Sequence, residues 1–326
     1  MAKILVTGGL GFIGHNVVAL LEQQKHEVVI VDNSTDYGII PADELSWILQ
    51  ERRAKIKTQH IYNDDVAGLG VDRIIKDHKI DTIIHLASFP RQKVVNANPQ
   101  AGSRVMSEGL LNLLEAAVKN NIKKFVYVSS SMVYGDFKDT YFDGVDEYHA
   151  TNPLGQYGIM KLAGEWLVRD YQRRHHMAYT IVRPSAVYGP LDVEDRVVSK
   201  FLLNAMRGDV IHVNGDNETL DFTFVSDAAA GIATAAVSDA TDNMIYNITR
   251  GQSRTLLEAA KLAVQIVGQG NIQVNMPDNN FPSRGQLNIT RAYNDFGFAP
   301  QVDIEQGFKE YYEWLKDSFY GIKKAV

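Results

Sequence analysis

The chain of 326 residues contains no cysteine. Disulfides, thiolate nucleophiles and cysteine-ligated zinc are therefore excluded, and a reducing compartment is consistent with the composition. Long apolar runs are also missing. No stretch approaches the ~20 residues that span a bilayer. The opening MAKILVTGG enters a strand at once, without the basic region and extended apolar run of a signal peptide. Positive charge is not in excess, since the formal net charge is −6, which argues against nucleic acid or an anionic membrane as partner. No histidine or carboxylate spacing suits a metal. A cytoplasmic protein with no metal is the expectation. What is present is ordinary globular material: 45% hydrophobic and 22% charged residues over a length that buries a sizeable core.

Short β-rich apolar runs alternate with helical patterns through the first half. Ile4–Val6, Val28–Val31, Lys57–Tyr62, Thr82–Leu86, Phe125–Val128 and Tyr179–Val182 read as strands. Phe12–Lys25, Val71–His78, Leu110–Lys119 and Gly155–His175 carry helical periodicity between them. Such alternation implies right-handed crossovers and an α/β, doubly wound parallel sheet covered on both faces. In the second half, Val197–Arg207, Asp227–Val237, Leu256–Val267 and Ile304–Lys316 read as helices, and Val210–Val213 and Met244–Ile248 as strands. The pattern predicts a dinucleotide domain over 1–183, to which 223–249 returns. A smaller, discontinuous α/β lobe is expected from 184–222 and 250–326.

The first strand runs into Thr7-Gly8-Gly9-Leu10-Gly11-Phe12-Ile13-Gly14. Glycines at 8, 11 and 14 allow a tight turn, close approach of backbone to a pyrophosphate, and close helix–strand packing. The following helix offers free N–H groups and a positive dipole end to phosphate. Because the motif follows a strand and opens a helix, it reads as a dinucleotide fingerprint. Asp32 ends the second strand, with Asn33 and Ser34 after it in place of an arginine. A carboxylate there accepts from ribose hydroxyls and repels a 2′-phosphate, so NAD is expected. Asp64 and Asp65 either approach the adenine amine or cap the next helix.

Tyr157-Gly158-Ile159-Met160-Lys161 places a phenol and an ammonium on one face of a helix. A free phenol has a pKa of about 10, and nearby positive charge lowers it into the range of a useful base. Upstream, an apolar strand ends in Ser129, Ser130 and Ser131, at the carboxyl edge where doubly wound folds bind ligands. A serine hydroxyl there holds a substrate oxygen beside the tyrosine.

These motifs together resemble the extended short-chain dehydrogenase/reductases, in particular the nucleotide-sugar epimerase/dehydratase branch. The matching segments run almost the length of the chain: TGGLGFIG, VDN, HLAS at 85–88, SSSMVYG at 129–135, YGIMK at 157–161, RPSAVYGP at 183–190 and DFTFVSD at 221–227. The resemblance implies Tyr157 as base, Lys161 as its ribose-binding partner and Ser130 as the catalytic hydroxyl. It also implies that Leu86, Ala87 and Ser88 line the cofactor, and that Pro184 and Val187 lie in the segment running past the nicotinamide. Hydride abstraction from a sugar, usually at C4, and a homodimer through helices Leu110–Lys119 and Gly155–His175 are implied as well.

Departures from the family pattern bear on the reaction. Members that eliminate water at C6 carry an Asp-Glu pair where this chain has Ser131 and Met132. Neither does acid–base work, so simple C4 epimerisation is the economical expectation. Net oxidation or an atypical elimination is the alternative. Ala186 stands where many relatives have asparagine, and Leu220 where many have a diphosphate-binding arginine. Arg284 matches another arginine often used for diphosphate. Arg196 either substitutes for the lost clamp or is a solvated charge. Arg91 either meets a phosphate or carboxylate of the substrate or faces solvent. Ser130, Ser131, Met132, Arg91, Arg196 and Arg284 are thus the expected substrate residues.

Overall fold

The computed structural model describes residues 1–89, 91–138, 143–192 and 196–322. Six strands of the first half are β1 (Lys3–Thr7), β2 (Glu27–Val31), β3 (Ile61–Tyr62), β4 (Thr82–His85), β5 (Lys124–Val128) and β6 (Ala178–Pro184). With Met244–Ile248 they form one seven-stranded parallel sheet, ordered Met244–Ile248, β6, β5, β4, β1, β2, β3. The order reverses between β1 and β4, the topological switch point at which open α/β sheets bind ligands. Leu5 of β1 lies level with Val29 of β2 and Ile83 of β4, so the carboxyl ends of the central strands stop together.

Apolar residues fill both sheet faces, as a covered parallel sheet requires. Leu5, Val29, Ile83, Phe125 and Ile181 pack with helices Gly70–His78, Gly109–Lys119 and Gln156–His175 on one face. Ile4, Val6, Ile30, Ile84 and Val126 pack with helices Phe12–Gln23 and Val225–Val237 on the other. Ala229, Ala233 and Ala236 keep that second helix close to the sheet.

A third core joins helices Val197–Arg207, Leu256–Val267 and Ile304–Asp317 around Phe308, Leu202 and Ile211. Its strands Val210–Asn214 and Asn271–Asn275 pair in parallel. Helix Thr290–Phe296 packs instead on the main core, through Ala292.

Two expectations differ. The strand expected from Lys57 begins only at Ile61. The Glu22 carboxylate accepts from the Lys57 and Thr58 N–H groups at 2.9 and 2.6 Å, removing these donors from any ladder. A helix unforeseen in the sequence, Ala42–Ala54, follows β2 and turns Leu45, Leu49 and Arg52 to the cavity at the switch point. It is held from outside, with the Trp47 ring 5.8 Å from that of Trp314.

Candidate active site

The cavity at the switch point has a volume of about 310 Å³. At one end is the glycine turn. Gly8 adopts φ +72, and a Cβ there would lie 2.7 Å from the Ala87 nitrogen. A Cβ on Gly14 would meet the Gly8 carbonyl oxygen at 2.0 Å. These positions need glycine because two backbones touch where the order of strands reverses. Gly11, Phe12 and Ile13 complete the turn and line the same cavity. The space a Cβ would fill and the N-terminus of helix Phe12–Gln23 suit a pyrophosphate.

Asp32 accepts from the Leu10 N–H and the Ser34 N–H, each at 2.8 Å. Burial pushes its carboxyl up, and these backbone donors and the Arg52 guanidinium pull the other way. The carboxylate thus fastens the turn to β2 while lining the cavity beside Asn33 and Ser34. Asp64 and Asp65 line it too, and their carboxylates accept from the Asp65 and Ala67 N–H groups at 2.8 and 2.9 Å. These are local turn bonds and not the expected cap, since the next helix, Gly70–His78, starts at Leu69 without a side-chain cap hydrogen bond. Leu86, Ala87 and Ser88, beyond β4, continue the wall.

At the other end lie Ser130, Tyr157 and Lys161, with Pro184 and Val187 opposite. Ser130 ends an extended strand, and its Oγ accepts from the Met132 N–H at 3.2 Å. The buried Lys161 Nζ donates to the Val128 carbonyl at 2.8 Å and stands 5.9 Å from the centre of the Tyr157 ring. Burial pulls Lys161 down to about 7, with Glu165 acting against it. Burial raises Tyr157, whereas the Arg196 charge and a hydrogen bond with Ser130 lower it. The spacing of tyrosine and lysine predicted the ammonium as the group acting on the phenol. Arg196 is a cation acting there that the spacing does not reveal.

Beneath this end, Arg183 of β6 grips Glu165 through its Nε at 2.9 Å and Nη2 at 2.6 Å. Glu165 also accepts from Ser129 Oγ at 2.5 Å, and Arg183 donates to Tyr134 Oη at 2.9 Å. His85 is buried, held neutral with its pKa pulled to about 3, and shares a 2.7 Å hydrogen bond with Thr7 Oγ1. It is a structural residue of the sheet.

The expected substrate residues separate. Ser130, Arg91 and Arg196 line the cavity, whereas Ser131, Met132 and Arg284 are not among its lining residues. Ser131 and Met132 turn into a buried 3-10 turn, Ser131–Tyr134, that seats the catalytic-side helix. The Arg284 carbonyl accepts from Thr219 Oγ1. Its buried guanidinium, drawn down to about 10, is opposed by the Glu218 charge. Leu220, in the position noted above, is buried in the smaller core. Arg52 and Asp192 line the cavity as well, and no spacing in the sequence announces either.

The sequence profile described as "NAD dependent epimerase/dehydratase family" matches residues 4–249. A protein of Methanocaldococcus jannaschii named "Putative UDP-glucose 4-epimerase" is 30% identical over 97% of this chain and 99% of its own length. A dTDP-D-glucose 4,6-dehydratase of Bos taurus is 28% identical over 99% of this chain and 91% of its own. Among solved structures, a UDP-glucose 4-epimerase from Thermotoga maritima, crystallised with UDP-glucose, has a TM-score of 0.85 and 26% identity. The alignment covers 99% of this chain and all of that one.

Two predictions follow from the geometry. Gly14→Ala must push the helix off the Gly8 carbonyl, and is expected to weaken NAD binding by roughly ten- to hundredfold. Calorimetric titration of the cofactor-depleted protein measures this. Burial pulls Lys161 down to about 7 in the folded protein, from its ordinary value of 10.5. Between these pH values the unfolded chain binds more protons, so this group makes stability rise with pH across that window. In cofactor-depleted protein, the wild-type thermal midpoint minus that of Lys161→Met is expected to rise from pH 7 to pH 10. A flat difference would exclude the buried ammonium as the cause.

Proposed function

The chain belongs to the NAD dependent epimerase/dehydratase family, and from that membership we propose a nucleotide-sugar epimerase acting at C4, with NAD retained through the cycle. The observation that carries the reading is the convergence of Ser130, Tyr157 and Lys161 on the cavity that holds the glycine turn and Asp32. NAD bound there would supply the acceptor for a hydride from the sugar carbon and the donor for its return. Gly8, Gly11, Phe12, Ile13 and Gly14 cradle its pyrophosphate, and Asp32, Asn33 and Ser34 hold the adenosine ribose. Asp64 and Asp65 flank the adenine. Leu86, Ala87, Ser88, Pro184 and Val187 enclose the nicotinamide half.

Tyr157 removes the proton of the sugar hydroxyl as that carbon is oxidised, and returns it after the keto sugar has turned. Ser130 orients the reacting oxygen through its hydroxyl. Lys161 binds the nicotinamide ribose. Arg91 supplies positive charge for the substrate's phosphate or carboxylate groups. Elimination at C6 needs an acid and a base beyond this set. Ser131 and Met132 contain no such group, which favours epimerisation over the dehydratase chemistry named for the Bos taurus relative.

Incubation with UDP-glucose, and in parallel with GDP-, CDP- and dTDP-sugars, is expected to yield the C4 epimer of one of them by NMR. No stoichiometric NADH should accumulate at 340 nm. Tyr157→Phe is expected to lower turnover by about 10²–10⁴. Accumulation of NADH with an oxidised sugar would replace the epimerase reading by a dehydrogenase.

A homodimer accompanies this reading. Ile159 and Trp166, two turns apart on helix Gln156–His175, are 53% and 57% exposed. Leu111 of helix Gly109–Lys119 is 39% exposed. An apolar strip of this kind suits a partner helix pair. Trp166→Glu is expected to halve the sedimentation mass of the wild-type protein, and an unchanged mass would remove these helices from the interface.

A further inference from the structure

Arg52 is almost wholly buried, and its helix, Ala42–Ala54, lines the cavity through Leu45, Leu49 and Arg52 itself. Its guanidinium joins two segments that are otherwise distant in the chain. Nη1 donates to the Leu10 carbonyl, within the glycine turn, at 3.2 Å. Nε and Nη2 both donate to the Leu191 carbonyl, at 3.2 and 2.7 Å. Leu191 lies beyond the short strand Val187–Tyr188 that follows β6, and itself adopts φ +67. Asp192 follows, with a side chain only 1% exposed, and Arg196 Nε lies 3.0 Å from its Oδ1. Arg52, Asp192, Arg196 and Tyr157 all line the one cavity.

The surroundings of Tyr157 narrow the choice of cation. On its own helix, Lys161 turns its ammonium to the Val128 carbonyl, and Glu165 is engaged by Arg183 and Ser129. On β5 stands the un-ionised phenol Tyr127, whose pKa burial raises, and just beyond it Ser130. On β4, His85 is neutral at working pH. Arg91 lines the cavity from the head of helix Gln92–Ala97, and Asp192 and Arg196 face it from beyond β6. Among these described groups, Arg196 is the charge that favours the phenolate.

We propose that Arg52 and Arg196 are positioning residues of one bracket. Arg52 clamps the glycine turn to the loop after β6, and Arg196, anchored on Asp192, holds a cation in the cavity that the Tyr157 phenol lines. The bracket sets the distance between the pyrophosphate end and the proton-transfer end of the site. This inference rests on Tyr157 being the base.

The test is a pH profile of kcat at saturating sugar nucleotide, for the holoenzyme and its Arg196→Gln and Arg196→Lys variants. Loss of the cation raises the phenol's pKa, so the acid limb should move to higher pH by about one pH unit in Arg196→Gln. Arg196→Lys should restore most of it, and KM for the sugar nucleotide should change little. An unmoved limb with a raised KM would overturn the assignment and make Arg196 a ligand of the substrate. Arg52→Lys keeps the charge but not the fork that reaches both carbonyls. It should raise the dissociation constant for NAD by about ten- to hundredfold, the loss expected when charged donors leave one or two acceptors. Unchanged NAD affinity would overturn the clamp. Full activity of Tyr157→Phe would instead remove the base reading itself, a failure distinct from both.

Discussion

The buried pair between Arg183 and Glu165 is the contact on which the tyrosine–lysine end of the cavity depends. Both side chains are 3% exposed, and the fork closes at 2.6 Å. Such a pair gains little over an apolar replacement, but leaving one partner alone in the interior costs about 3–5 kcal/mol. Here the pair is also a joint. Glu165 lies one turn beyond Lys161 on the helix that carries Tyr157, and Arg183 stands on β6. Their bond fixes the helix against the sheet. Ser129, hydrogen-bonded to the same carboxylate, places its neighbour Ser130 at the end of β5. Tyr134 takes the remaining direction of the guanidinium and donates to Asn247 at 2.8 Å, reaching the last strand. Three strands and one helix thus meet through one ion pair.

The nucleotide end is built by a different constraint. There backbone meets backbone at the switch point, and the requirement is for missing side chains rather than for paired ones. Gly8 and Gly14 are needed because Ala87 and the Gly8 carbonyl already occupy the space a Cβ would take. Asp32 then ties the turn to β2 through the Leu10 N–H. One end of the cavity is therefore set by sterics and the other by buried charge, and the loop after β6 has to keep the two in register.

That difference explains how much was legible beforehand. The strands Val28–Val31 and Phe125–Val128 and the glycine turn are local patterns, in which apolar runs and a missing Cβ speak for themselves. Ser130, Tyr157 and Lys161 were readable as motifs, and the parallel sheet brings them to one cavity. Helix Ala42–Ala54 was not legible, because its sequence ADELSWILQERRA mixes polar and apolar residues about equally and the apolar ones divide between two partners. Leu45 and Leu49 face the cavity, whereas Trp47 meets Trp314 from the far end of the chain. Arg52 was hidden for the same reason, since its acceptor at Leu191 lies 139 residues away. Ser131 and Met132 were placed correctly in sequence beside Ser130 yet turn away from the cavity, because the chain tightens into a 3-10 turn immediately after it.

Strain gathers at the segment the two ends share. Ala186 adopts φ +37 and Leu191 φ +67, conformations that disfavour any residue with a Cβ by roughly 1–2 kcal/mol. Ala186 has no side-chain polar group to favour this backbone, so the conformation is imposed by the loop's surroundings rather than by local preference. At Leu191 the restraint is visible: two donors of the buried Arg52 converge on its carbonyl. A charged donor contributes about 1.5–3 kcal/mol per hydrogen bond, enough to hold one left-handed leucine. The same geometry turns Asp192 inward, where it meets Arg196. The strained loop is thus the point at which stability is given up so that a cation stands near the phenol and the cofactor turn stays in place.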